Sequence, residues 1–93
     1  MDVKVLKSSD REMEIEVQGE SHTLGNLVAK QLQSMGEVEL AYYEIPHPLQ
    51  PRMRIYIRTR EGSRPREVLE KALSMLEEEL EEVEKAFRQA LGV

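Results

Sequence analysis

Alternating apolar and polar residues predict two β-strands at the start of the chain. Residues 2–7 and residues 12–18 each place apolar side chains at every second position. In the second segment, Met13, Ile15 and Val17 alternate with glutamates, which is typical of a strand with one buried and one solvated face. The polar segment between the two strands is short, so they are predicted to form a hairpin.

An amphipathic helix is predicted next, because apolar residues recur three and four positions apart. Ser21 or Thr23 can cap its first turn, and Gly36 can end it. Gly25 lies in the first turn, where glycine costs about 1 kcal/mol relative to alanine. Its presence indicates that the chain's own sheet or another protein approaches the backbone there. The apolar positions of this helix are Leu24, Leu27, Val28, Leu32 and Met35.

Two further strands follow the helix. In the first, Val38, Leu40 and Tyr42 are expected to share one face, and a bulge is expected near residues 42–43, where the alternation is lost. The prolines in residues 46–51 predict an irregular segment. In the next strand, Met53, Ile55 and Ile57 alternate with arginines and a tyrosine.

The last predicted element is a long helix over residues 64–91. At about 1.5 Å per residue it would be about 40 Å long, whereas a four-stranded sheet is only about 15 Å wide. The helix is therefore expected to extend past the sheet, and its final apolar residues lack enough of this chain to cover them. Uncovered apolar stripes mark partner surfaces. These final residues are Leu80, Val83, Phe87 and Leu91, at the end of a heptad seam that begins at Leu69.

Composition limits the function classes. The 93 residues predict a single domain spanning 1–93, with a net charge of −5, no cysteine and no apolar run long enough to cross a membrane. We expect an intracellular, cytoplasmic protein without a cofactor. The acidic balance argues against a chain that grips nucleic acid along its whole surface.

Candidate catalytic chemistry is sparse. His22 and His47 are the only histidines, and neither belongs to a metal-binding or nucleophile motif. We interpret His22 as a capping or packing residue and His47 as part of a proline turn. Six glutamates in residues 77–84 lie on a predicted helix rather than in a calcium-binding loop, so a solvated helical face is the better interpretation.

A basic stripe on the fourth strand offers an alternative function. Arg52, Arg54, Arg58 and Arg60 share one face, which is a feature of RNA-binding sheets, although only Tyr56 could stack on a base there. A free-standing RNA-binding module is thus the second hypothesis. Ion pairs with the glutamates of the second strand are the simpler account if the two strands are neighbours, and contact of the arginines with a partner protein is the other alternative. A small enzyme and a self-associating structural protein remain further possibilities.

Two motifs resemble the L subunits of archaeal RNA polymerases, which are similar to a small eukaryotic polymerase subunit and to the dimerisation domain of the bacterial α subunit. An acidic residue commonly precedes the first motif in that family, whereas Ser21 stands here. The motifs are His22, Thr23, Leu24, Gly25, Asn26 and Leu27, and the segment 41–49 with Tyr42, Pro46, His47 and Pro48.

The resemblance implies an α+β fold in which a four-stranded antiparallel sheet carries two helices on one face, in agreement with the ββαββα order predicted above. It implies pairing with the larger, α-like subunit of the polymerase, which is named D in archaea, and a heterodimer on which the large catalytic subunits assemble. Catalytic residues and catalytic magnesium belong to those large subunits. Some predicted interface residues must instead face the sheet. The predicted set is Leu24, Gly25, Leu27, Val28, Gln31, Leu32, Met35, Leu80, Val83, Phe87 and Leu91.

Overall fold

The computed structural model describes residues 2–19 and 22–92. Ser21, one of the two predicted caps of the first helix, lies outside the described residues. The elements follow the predicted ββαββα order: β1 (Asp2–Ser8), β2 (Glu12–Gln18), α1 (His22–Gln33), β3 (Val38–Glu44), β4 (Arg52–Thr59) and α2 (Pro65–Leu91).

The four strands form one antiparallel sheet in the order β1-β2-β4-β3. The predicted β1–β2 hairpin is confirmed, and its turn is closed by Ser9, whose side-chain oxygen accepts a hydrogen bond from the Glu12 N–H at 3.2 Å. Both helices cover the same face of the sheet, with α1 over β3 and β4 and α2 over β2 and β4. Val3 and Val5 of β1 point to this face but stay exposed.

The core lies between this face of the sheet and the helices. The sheet contributes the alternating apolar residues that the pattern predicts, including Met13, Ile15 and Ile57. From the helices, Leu32 has no exposed surface, and Ala72 likewise has none. Each large apolar side chain buried in this way stabilises the fold by about 1.5–3 kcal/mol relative to its exposed state.

At Gly25, α1 packs closely against the sheet. A Cβ atom built on Gly25 would lie 2.5 Å from the sulfur of Met53 and 2.6 Å from the Tyr43 ring. The close approach predicted from the sequence is therefore to the chain's own sheet. Gly25 is therefore buried against β3 and β4 in the chain alone.

The predicted faces of β3 need correction. Val38 is buried, whereas Leu40 and Tyr42 lie on the opposite, exposed face, and Ala41 takes their place in the core. The reason is an irregularity in the β3–β4 register between Val38 and Leu40. An extra residue there reverses the side-chain alternation for the rest of the strand. A bulge was predicted, but three residues too late.

The long α2 helix is confirmed within one residue of its predicted bounds. Pro65 at its first position needs no hydrogen-bond partner for its backbone nitrogen, and Gly92 ends the helix with φ of 77°. Val68 and Ala72 face the sheet, so the predicted heptad seam is displaced around the helix and Leu73 is exposed. Leu76 is the last residue packed against the core. We call residues 77–91 the α2 extension, and all of its side chains are exposed.

Substitution of Gly25 by alanine should destabilise the isolated chain. The new methyl group would overlap Met53 and Tyr43, and such overpacking costs about 1–3 kcal/mol, against a gain of about 1 kcal/mol in helix propensity. Gly36→Ala is the matched control, because a Cβ at Gly36 meets nothing within 4 Å. Urea unfolding should therefore show a lower midpoint for Gly25→Ala and a nearly unchanged one for Gly36→Ala. A higher midpoint for Gly25→Ala than for Gly36→Ala would contradict the close packing of α1, because it would show the helix-propensity gain without an overpacking cost.

The ion pair between Glu37 and Lys71, which joins the turn before β3 to α2, should be visible in a titration. Lys71 Nζ donates to Glu37 Oε2 at 3.0 Å, and this hydrogen bond lowers the pKa of Glu37 below its ordinary 4.5. The contribution to stability is present above that ordinary pKa and is lost as the pH falls through the lowered one. Carboxyl NMR should show the Glu37 pKa rising in Lys71→Met but not in Lys85→Met.

Candidate interface between the two helices

An apolar groove of about 350 Å³ lies between α1 and α2. The two helices are linked at one end of their contact by Gln31, whose amide donates to the sulfur of Met75 at 3.5 Å. We call this depression the interhelical groove. Its lining residues are Leu24, Leu27, Val28, Leu73, Leu76, Glu77, Leu80, Glu81 and Glu84.

The structure divides the predicted interface residues of α1 into two sets. Leu24 is half-buried and Leu27 is exposed, and both line the interhelical groove. The other predicted residues of α1 are buried within this chain and have little exposed surface. Among them, only Val28 also lines the groove. These buried residues are Gly25, Val28, Gln31, Leu32 and Met35.

The predicted interface residues of α2 are all exposed. Leu80 is 59% exposed and Phe87 is 66% exposed, and Val83 and Leu91 extend the same stripe along the α2 extension. Leu80 also lines the interhelical groove, so the groove and the stripe form one continuous apolar surface. The predicted set omitted Leu73, although its place in the heptad seam gave a signal for it.

Residues of the two sequence motifs have structural contacts. His22 Nδ1 lies 3.2 Å from the Tyr43 hydroxyl, and the two rings meet edge to face, which joins the start of α1 to β3. This agrees with the interpretation of His22 as a packing residue. The His47 carbonyl accepts a hydrogen bond from the Gln50 N–H at 3.1 Å, as expected in a turn. Asn26, Pro46 and Pro48 are exposed.

The basic stripe of β4 lies beside the acidic residues of β2, on the face of the sheet that the helices do not cover. Because β2 and β4 are neighbours, Arg58 lies 3.6 Å from Glu12, and Arg52 lies 3.6 Å from Glu16. Arg54 lies 3.9 Å from Glu14. These three arginines are therefore already engaged by carboxylates, and the Tyr56 ring stacks on Tyr42. The fourth predicted arginine, Arg60, lies just past the end of β4 and donates to the Gly36 carbonyl at 3.0 Å.

The part of the chain that the structure describes offers no cluster of histidines and carboxylates able to hold a metal ion. Within the same residues, no helix combines the length and the apolar character needed to cross a membrane. The candidate functional site is therefore the exposed apolar surface formed by the interhelical groove and the α2 extension. Such an arrangement can bind another apolar surface by exclusion of water.

Comparison with known proteins gives consistent matches. The family model of the RNA polymerase Rpb3/Rpb11 dimerisation domain matches residues 12–86. The sequence is 37% identical over 92 residues to the DNA-directed RNA polymerase subunit Rpo11 of Korarchaeum cryptofilum, across 99% of this chain and 94% of that protein. It is 42% identical over 73 residues to Rpo11 of Metallosphaera sedula, across 78% of this chain and 81% of that protein.

A solved structure gives the same fold. The DNA-directed RNA polymerase subunit L from Thermoplasma acidophilum superposes with a TM-score of 0.85, across 98% of this chain and 89% of that one. At 20% sequence identity this match shows the fold alone. The family model and the near full-length relative go further, and together they show that the chain belongs to the RNA polymerase Rpb3/Rpb11 dimerisation-domain family.

Proposed function

We propose that the chain is a non-catalytic subunit of a DNA-directed RNA polymerase that forms a heterodimer with the larger, α-like subunit of that enzyme. The observation that carries this proposal is the continuous apolar surface of the interhelical groove and the α2 extension. Leu27, Leu80 and Phe87 are exposed on it. An exposed apolar surface of this kind favours association, since burial of apolar area is the main driving force for most protein–protein contacts.

In this proposal the function is assembly. Residues 1–93 act as one dimerisation domain, and the heterodimer serves as the platform on which the large catalytic subunits assemble. The catalytic residues and the magnesium ion belong to those large subunits. The site of action is the cytoplasm, where an archaeal polymerase meets its DNA template.

The arginine face of β4 does not favour the alternative function of RNA binding. An RNA backbone would have to displace Glu12, Glu14 and Glu16 from their arginine partners. The contacts of single-stranded RNA with proteins also rely on aromatic side chains that are available for stacking. Here the half-buried Tyr56 and the exposed Tyr42 of this face are stacked on each other. We therefore propose no direct, sequence-specific contact with nucleic acid.

The native mass of the purified chain, alone and mixed with the α-like subunit, tests this proposal. We expect a tight 1:1 complex in the mixture, because each partner would cover apolar surface that the other leaves exposed. Analytical ultracentrifugation measures both samples directly. A stable monomer that does not bind the α-like subunit would overturn the proposal. The alternative of RNA binding would then be tested by RNA titrations across a range of salt concentrations.

Phe87→Ala should weaken the heterodimer without unfolding the chain. Loss of a large aromatic anchor at a hot spot costs about 2–4 kcal/mol of binding free energy. The side chain is 66% exposed in the chain alone, so its removal should leave the circular dichroism spectrum unchanged. Leu49→Ala is the matched control, because Leu49 is 98% exposed in the proline loop and belongs neither to the interhelical groove nor to the α2 extension. Isothermal titration calorimetry with the α-like subunit should separate the two variants, and equal affinities would exclude Phe87 as an anchor.

A further inference from the structure

The two walls of the interhelical groove differ in charge. The α1 wall is formed by leucine and valine side chains, whereas the α2 wall adds Glu77, Glu81 and Glu84. Glu81 and Glu84 each follow an apolar residue of the exposed stripe, so these carboxylates lie along one border of it. We call these three residues the acidic rim.

The acidic rim has little internal compensation. Among the described residues, Glu84 pairs with Arg88 at 3.0 Å, but neither Glu77 nor Glu81 has a lysine or arginine within ion-pair distance. In the sheet, by contrast, Glu12, Glu14, Glu16 and Glu39 have cationic partners. Glu77 and Glu81 thus place unpaired negative charge directly beside the apolar surface.

The placement of Glu77 and Glu81 affects how the groove interacts with charged partners. Glu77 and Glu81 are four residues apart on one helix face, where like charges repel each other. Contact with a partner removes water from the border of the groove, and the lower dielectric constant strengthens every charge interaction there. A cation brought by the partner would be attracted to both carboxylates, whereas an anion would be repelled by both.

We propose that the acidic rim selects the occupant of the groove: an amphipathic helix of a different chain that carries lysine or arginine beside its apolar face. This inference rests on the proposed heterodimer and adds the charge of its partner helix. A second copy of this chain is a poor occupant. Its exposed helical stripe lies in the α2 extension, where six glutamates accompany only Lys85 and Arg88. Specificity of this kind arises from repulsion of the wrong partner as well as attraction of the right one.

Charge reversal on the rim tests the proposal. Glu77→Lys/Glu81→Lys reverses two rim positions, and Glu78→Lys/Glu82→Lys is the control with the same net charge and the same four-residue spacing. The control residues lie on a different side of α2 and do not line the groove. The dissociation constant for the α-like subunit should rise roughly tenfold or more in the rim variant at low salt, and less than about threefold in the control.

Salt and self-association supply the remaining readouts. The difference between the two variants should shrink at high salt, because salt screens exposed charges. Wild-type chain should stay monomeric in sedimentation runs, and an equimolar mixture with the rim variant should associate more than either chain alone.

Equal weakening by both variants overturns the acidic-rim inference but leaves the heterodimer intact. Tight self-association of the wild-type chain also overturns it, and wild-type chain that binds neither itself nor the α-like subunit overturns the proposed function with it.

Discussion

The α2 helix is longer than the sheet on which it packs. The exposed apolar surface of the interhelical groove and the α2 extension follows from this difference in length. Val68 and Ala72 fix the first turns of α2 to the core, and Leu76 is the last residue to contact it. The α2 extension then continues for about 20 Å at 1.5 Å per residue. A helix of this length is marginally stable by itself in water. Its order in the free chain therefore depends on the packed turns that precede it.

The position of α1 turns this mismatch into a groove. Because Gly25 has no side chain, α1 lies directly on Met53 and Tyr43. Leu32 is then buried in the core, whereas Leu27 lies on a different side of the helix and stays exposed. Leu27 is then directed toward the side of α1 that faces α2, where it lines the groove. A bulkier residue at position 25 would lift the helix from the sheet. The exposed apolar surface is therefore set by a contact inside the chain, between α1 and the sheet.

Sequence patterns predicted most of this fold because the periodic signals are strong. The alternation in β2 and β4 and the heptad spacing in α2 give the element order and the exposed α2 extension. The faces of β3 could not be predicted, because a one-residue irregularity between Val38 and Leu40 reverses the alternation without a signal from glycine or proline. Similarly, α1 is apolar on two adjacent sides, so the division between Leu27 and Leu32 depends on where the sheet lies.

Charge has different consequences on the two faces of the molecule. On the open face of the sheet, glutamates of β2 and arginines of β4 pair across neighbouring strands, so their charges offset each other. On the α2 extension, six glutamates surround an exposed apolar stripe with only Lys85 and Arg88 among them. Exposed apolar surface promotes aggregation, and like charges beside it oppose contact between identical chains. The same glutamates that would hold identical chains apart leave the stripe accessible to a partner of opposite charge.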